Sequence, residues 1–227
     1  MATGGPIRMP IEPVSLPALL TLAQWLSPAF PVGAFSYSHG LEWAVETGDV
    51  ADARGFQDWL GAVLTMGAGR NDAILLTAAY RAETGEPLAK TDALARALTP
   101  SRERLAETAQ QGAAFARTTS GIWPVSLQNL TIPVAVGAAV QAMSLPLAET
   151  LVLYLHGFAS NLTSAATRLV PLGQTAGQAA LAAVAPLCSD IAARAQTQTI
   201  DDLGACTFLA DIASMKHETQ YSRLFQS

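Results

Sequence analysis

Between Thr118 and Ser189 the chain carries only two formal charges, Glu149 and Arg168. A helix that lacks polar residues all round is buried all round. This stretch is therefore expected at the centre of a helical bundle or beneath another chain. A membrane span is the competing reading for its first part, Thr118 to Ala148, which has no charge at all. Pro124, Pro133 and Pro146 cut that part, and the longest proline-free piece, Val134 to Leu145, includes Gln141. That piece is far short of the roughly 20 residues a bilayer requires, so a buried helix is the expectation and no membrane partner is inferred.

The rest of the chain agrees with a protein that meets other proteins. Its 227 residues are ample for a core. Only 14% are charged, against roughly 25% in a typical soluble domain. Either the chain is simply alanine-rich, or part of its apolar surface is covered by other chains. The net charge is −5 and the 13 basic residues form no stripe, which argues against nucleic acid. Cys188 and Cys206 form no CxxC pair, as suits a reducing cytoplasm. Residues 1–13 contain Gly4, Gly5, Pro6, Pro10 and Pro13 without an apolar run, and read as a flexible arm rather than a signal peptide.

Strand patterns are nearly missing and helix patterns recur throughout. Helices are expected over Leu16–Leu26, Ser38–Thr47, a segment capped by Asp52, a segment opened by Asn71 or Asp72, Pro87–Leu98, a segment behind Thr99-Pro100, Thr131–Met143, Pro146–Leu169, Thr175–Gln196 and Asp202–His217. Behind Asp52, residues Phe56, Trp59, Leu60, Val63 and Leu64 fall on one face. Gly121 to Leu130 reads as a loop, and Pro186 is expected to kink its helix. With no repeat and no linker, the chain is expected to be all-α: one bundle of about ten helices over residues 14–227.

Catalytic motifs fail one by one. No phosphate-cradling GxxxxGK[ST] and no GxSxG elbow is present. Gly67-Ala68-Gly69-Arg70-Asn71-Asp72 lacks the last glycine of a dinucleotide loop and the strand before it. His217-Glu218 begins like a zinc-protease helix, but Tyr221 stands where the second histidine belongs. Ser36, Ser38 and His39 suggest a nucleophile less well than they suggest a helix start. No catalytic residue, metal ligand or cofactor is therefore expected.

Two other features invite a binding role. Arg168 is the only charge between Thr150 and Ser189. It is either a snorkelling side chain on the outer face, or an anchor for a partner or for a polar channel. The C-terminus, Met215 to Ser227, is dense in large hydrogen-bonding groups where chain ends are usually bland. Tyr221, Arg223 and Phe225 are residue types that anchor interfaces, unless the end folds back on its own core.

Three segments carry a family resemblance. Ser27-Pro28-Ala29-Phe30-Pro31-Val32-Gly33-Ala34-Phe35-Ser36-Tyr37-Ser38-His39-Gly40-Leu41-Glu42 resembles the N-terminal signature of the urease accessory protein UreF family. Ser160 to Ala165, with Arg168 and Val170 to Thr175, resembles its central signature, and His217 to Phe225 its C-terminal one. The order, spacing and chain length all agree. The resemblance implies an all-α homodimer without enzymatic activity. It implies action with the accessory protein UreD (UreH in some organisms) and the nickel-carrying GTPase UreG, in delivering nickel to apo-urease. By motif, Phe35, Ser36 and Tyr37 belong to an ordered loop, and Tyr221 and Arg223 to a tail near it. The expected partner-binding set is thus Phe35, Ser36, Tyr37, Arg168, His217, Glu218, Tyr221, Arg223 and Phe225. Gln226 stands where many members have arginine, and Lys216 is often arginine. The alternative is a GTPase-activating factor that supplies Arg223, Arg70 or Arg168 in trans to UreG.

Overall fold

The computed structural model describes residues 14–82 and 84–226. The N-terminal arm expected over residues 1–13 lies outside the described residues. Among those described, the chain forms ten α-helices and no strand. They are α1 (Leu16–Trp25), α2 (Leu41–Glu46), α3 (Ala53–Met66), α4 (Ala68–Arg81), α5 (Glu86–Ala97), α6 (Arg102–Ile122), α7 (Ile132–Ala142), α8 (Leu147–Leu169), α9 (Gln174–Ala195) and α10 (Phe208–His217). Short 3-10 turns at Ala34–Ser36 and Ile200–Asp202 punctuate the loops.

The patterned helices are where their residues place them. Asp52 Oδ1 accepts from the Gly55 amide at 2.8 Å and starts α3, whose Phe56, Leu60, Val63 and Leu64 are fully buried. Leu151, Tyr154, Leu155, Leu162 and Ala165 form the buried stripe of α8. The core gathers these with α4, α7 and α9, and α7 packs between α4 and α6. Gly137 makes that packing possible: a Cβ there would lie 2.4 Å from the Leu76 carbonyl oxygen of α4.

Several boundaries differ from expectation. The helix expected from Ser38 begins only at Leu41, because His39 (φ 59°) and Gly40 (φ 78°) are both left-handed. Gly40 is also a close approach, since a Cβ there would meet the Ser214 amide nitrogen of α10 at 2.6 Å. Thr99-Pro100 precedes the true cap of α6, Ser101, whose side chain accepts from the Arg104 amide at 3.1 Å. Helix α4 opens at Ala68, ahead of Asn71, and α6 runs on to Ile122. The last helix starts at Phe208, after the 3-10 turn that Thr199 caps.

The charge-poor segment divides. Helix α7 is buried on most of its surface, as expected. Helix α9 is not: it packs on α8 and α3 while Gln178, Ala179, Ala182, Ala183 and Pro186 face outward. By length and composition α9 is the one described helix that could cross a bilayer. Its inward stripe of Leu181, Val184, Cys188 and Ile191 belongs to the core of the bundle.

Candidate partner-binding site

The site is built where the first loop, the end of α8 and the C-terminal tail meet. Left-handed Gly33 turns the chain into the 3-10 turn Ala34–Ser36. Two side chains of α8 hold that turn by its carbonyls. Asn161 Nδ2 donates to the Ala34 oxygen at 2.7 Å, and the Arg168 guanidinium donates to the Phe35 oxygen at 2.9 Å. Phe35 is thereby left with its ring in solvent. The next residue points the other way: Tyr37 is buried and its hydroxyl donates to Gln110 of α6 at 2.9 Å.

The tail lies against this loop. The Gln226 amide donates to the Ser36 oxygen at 2.8 Å. Phe225 is buried, with the Arg168 guanidinium 4.4 Å above its ring centre. Arg168 is exposed in the last turn of α8, so it neither lines an internal channel nor floats free. It ties loop to tail through a carbonyl and an aromatic face.

A buried carboxylate–imidazole cluster holds the tail from beneath. Glu42 of α2 accepts from the Leu224 amide at 2.6 Å and the Phe225 amide at 2.9 Å. His217, fully buried, sets Nε2 3.2 Å from Glu42 and Nδ1 2.7 Å from Glu103 of α6. Arg223 donates to the other oxygen of Glu103 at 2.7 Å. Glu218 accepts from the amide and guanidinium of Arg102, at 2.8 and 3.1 Å. Gln220 donates to Glu46. The outcome is an anchored tail whose Tyr221 and Leu224 side chains still face solvent.

Of the nine residues expected at the site from sequence, Arg168 meets Phe35 and Phe225, Ser36 meets the tail, and His217 and Arg223 share Glu103, while Tyr37 and Glu218 bond to Gln110 and Arg102 of α6. Phe35 and Tyr221 are exposed, as is Leu224, which was not in the expected set. Tyr37, His217 and Phe225 are buried beneath the exposed side chains. Sequence reasoning missed Glu42 and Glu103. Glu42 sits inside the N-terminal motif, which was a usable signal. Glu103 is one charge among several in the first turn of α6, and nothing local separates it from its neighbours.

The chain is similar to proteins of one kind. A family model described as UreF matches residues 50–185. The urease accessory protein UreF of Roseobacter denitrificans (strain ATCC 33942 / OCh 114) is 53% identical over 214 residues, covering 94% of this chain and 96% of its own length. This chain belongs to the UreF family. The UreF of Cereibacter sphaeroides (strain KD131 / KCTC 12085) is 54% identical over 210 residues, 92% of this chain and 99% of its own. That of Rhodopseudomonas palustris (strain HaA2) is 51% identical and covers 100% of this chain and 99% of its own. A UreF-family chain is an accessory to urease, not urease itself.

A second polar feature of this UreF-family chain opens between α4, α6 and the loop before α10. A cavity of about 220 Å³ is lined by His39, Asp72, Thr108, Arg104, Cys206 and Asp211, among others. Burial pushes the Asp72 carboxyl up to about 6, against the opposing pull of the Tyr154 hydroxyl, which donates to it at 2.8 Å, and of Arg104. Burial lowers Arg104 to about 10 although Asp72 holds it up. Burial, aided by Arg104, drives His39 well below its ordinary value, so its ring is neutral, edge-on to Phe158 and Trp59. Its Nδ1 has no partner. Among the described residues no group of three His, Cys, Asp or Glu side chains is arranged to hold a metal ion.

Proposed function

We propose that this chain acts in urease maturation as an adaptor. It binds UreD (UreH in some organisms), recruits the nickel-carrying GTPase UreG, and brings both to apo-urease, as a homodimer in the cytoplasm. Membership of the UreF family supports the role in urease maturation. The observation that carries the docking reading is the joined loop and tail. Exposed Phe35, Tyr221 and Leu224 crown a scaffold tied together by Arg168 and by the Gln226–Ser36 hydrogen bond. Aromatic anchors on a pre-ordered base lose little conformational entropy on binding.

Deleting Tyr221 to Ser227 tests this. The deletion begins beyond α10, so helix content should survive while co-purification with UreD is lost. Retained UreD binding would remove the tail from the docking surface. The arginine-in-trans reading has less support at Arg168 and Arg223, which are both engaged within the chain, and is left with Arg70. GTP turnover by UreG with and without this protein separates the two.

A further inference from the structure

The Glu42–His217–Glu103 cluster has a proton requirement that its geometry makes explicit. A neutral imidazole has one N–H and one lone pair, and an ionised carboxylate only accepts. Here both ring nitrogens face carboxylate oxygens, at 3.2 and 2.7 Å, and the ring is fully buried. Both contacts are hydrogen bonds only when the three groups hold one proton beyond two ionised carboxylates and a neutral ring. That proton makes either an imidazolium between carboxylates or a carboxylic acid that donates to the ring.

We propose that Glu42, His217 and Glu103 share this proton and together position the C-terminal tail. They are positioning residues, because each acts through the tail. Glu42 grips the Leu224 and Phe225 amides, and Glu103 grips Arg223. With the proton, Glu42, Glu103, His217 and Arg223 sum to zero charge. Without it, a ring lone pair faces a buried carboxylate and the cluster carries one uncompensated negative charge, which is costly out of water. The strain is relieved by moving Glu42 or Glu103 outward, and those are the groups that hold the tail.

The surrounding charges are already engaged or face elsewhere. On α2, Glu46 accepts from Gln220. On α6, Arg102 is paired with Glu218, and Arg104 with Glu107. On α10, Asp211 accepts from the Thr207 amide and Lys216 is exposed. The sign follows directly. The docked tail binds one proton more than the released tail, so docking is complete at low pH and weakens as pH rises. Because Gln226 bonds to Ser36, release of the tail also removes one of the loop's ties, while Asn161 and Arg168 still hold its turn.

This inference rests on the docking reading only for its consequence in partner binding. Its test uses the full chain without a partner, so the two can fail separately. NMR amide exchange, corrected for intrinsic chemistry, reads the protection of Leu224 and Phe225 between about pH 5.5 and 8.5. Protection should fall about tenfold or more as pH rises, while the amides of α7 stay constant. Glu42→Gln should lose that protection at every pH. Glu103→Gln supplies a permanent donor to the ring, so its tail should stay protected across the range. A purely structural role would not produce that contrast. Protection independent of pH in the unchanged chain overturns the proposal, as does a Glu103→Gln profile that follows the unchanged one. If Glu42→Gln does not fold, the Glu103→Gln profile decides alone.

Discussion

Single residues in this chain differ in what they hold, and their exposure sets the size of the effect. The Arg223 side chain is about two-fifths exposed (41%) where it meets Glu103. Its truncation to alanine should therefore cost the isolated fold no more than about 1 kcal/mol. The larger loss is expected in UreD binding, because the tail loses one of its ties, and paired thermal melts and pull-downs would separate the two effects. Asp72 predicts the opposite kind of change. Its carboxyl is raised from 3.8 to about 6, so between those values the folded state holds a proton that the unfolded state has released. Stability from this group is therefore lost as pH rises from about 4 through 6. The difference corresponds to about 3 kcal/mol at most. Asp72→Asn keeps an acceptor for Tyr154 and removes the charge. It should raise the melting temperature at pH 8 more than at pH 4, and an unchanged difference would show that Asp72 ionises freely.

Elements meet at two contrasting surfaces. The α4–α7 contact is closed by Gly137, and a methyl group there would strike the Leu76 carbonyl at 2.4 Å. Backbone on both sides leaves little room to yield. Gly137→Ala should cost about 1–3 kcal/mol and lower the melting temperature by about 3–10 °C, read by calorimetry. Helix α9 shows an outward face of small uncharged residues instead. The low-charge helices between Thr131 and Arg194 are the expected dimer contact. With α7 buried within the bundle, the proposed homodimer would use the outer faces of α8 and α9. Ala183→Glu should shift sedimentation from dimer toward monomer with an unchanged circular dichroism spectrum. A dimer unaffected by this change would place the contact on another face.

At the scale of the whole molecule, the loop and the tail are nearly the length of the chain apart and still form one unit. Helices α2, α6, α8 and α10 each contribute a group to that unit: Glu42, Glu103, Arg168 and His217. Gly40 lets α2 lie against α10, so it is the approach of these helices that brings Glu42 to His217. The proposed docking surface would thus be a product of helix packing, with the exposed aromatic residues as its last layer.

Sequence alone was enough for whatever depends on neighbours along the chain. Periodic apolar residues marked α3 and α8, Asp52 marked a cap, and the residue types of Phe35, Tyr221, Arg223 and Phe225 marked the loop and tail. It misplaced the starts of α2 and α6, where a left-handed pair and a competing serine decided the boundary. It also left the charge-poor region open between the bundle centre and a covered outer face, because small residues satisfy both. Only the tertiary structure decided which aromatic residues point outward, that Arg168 joins loop to tail, and that Glu42 and Glu103 close on His217. Those facts are distances between groups far apart in sequence, and a local pattern has no means of encoding them.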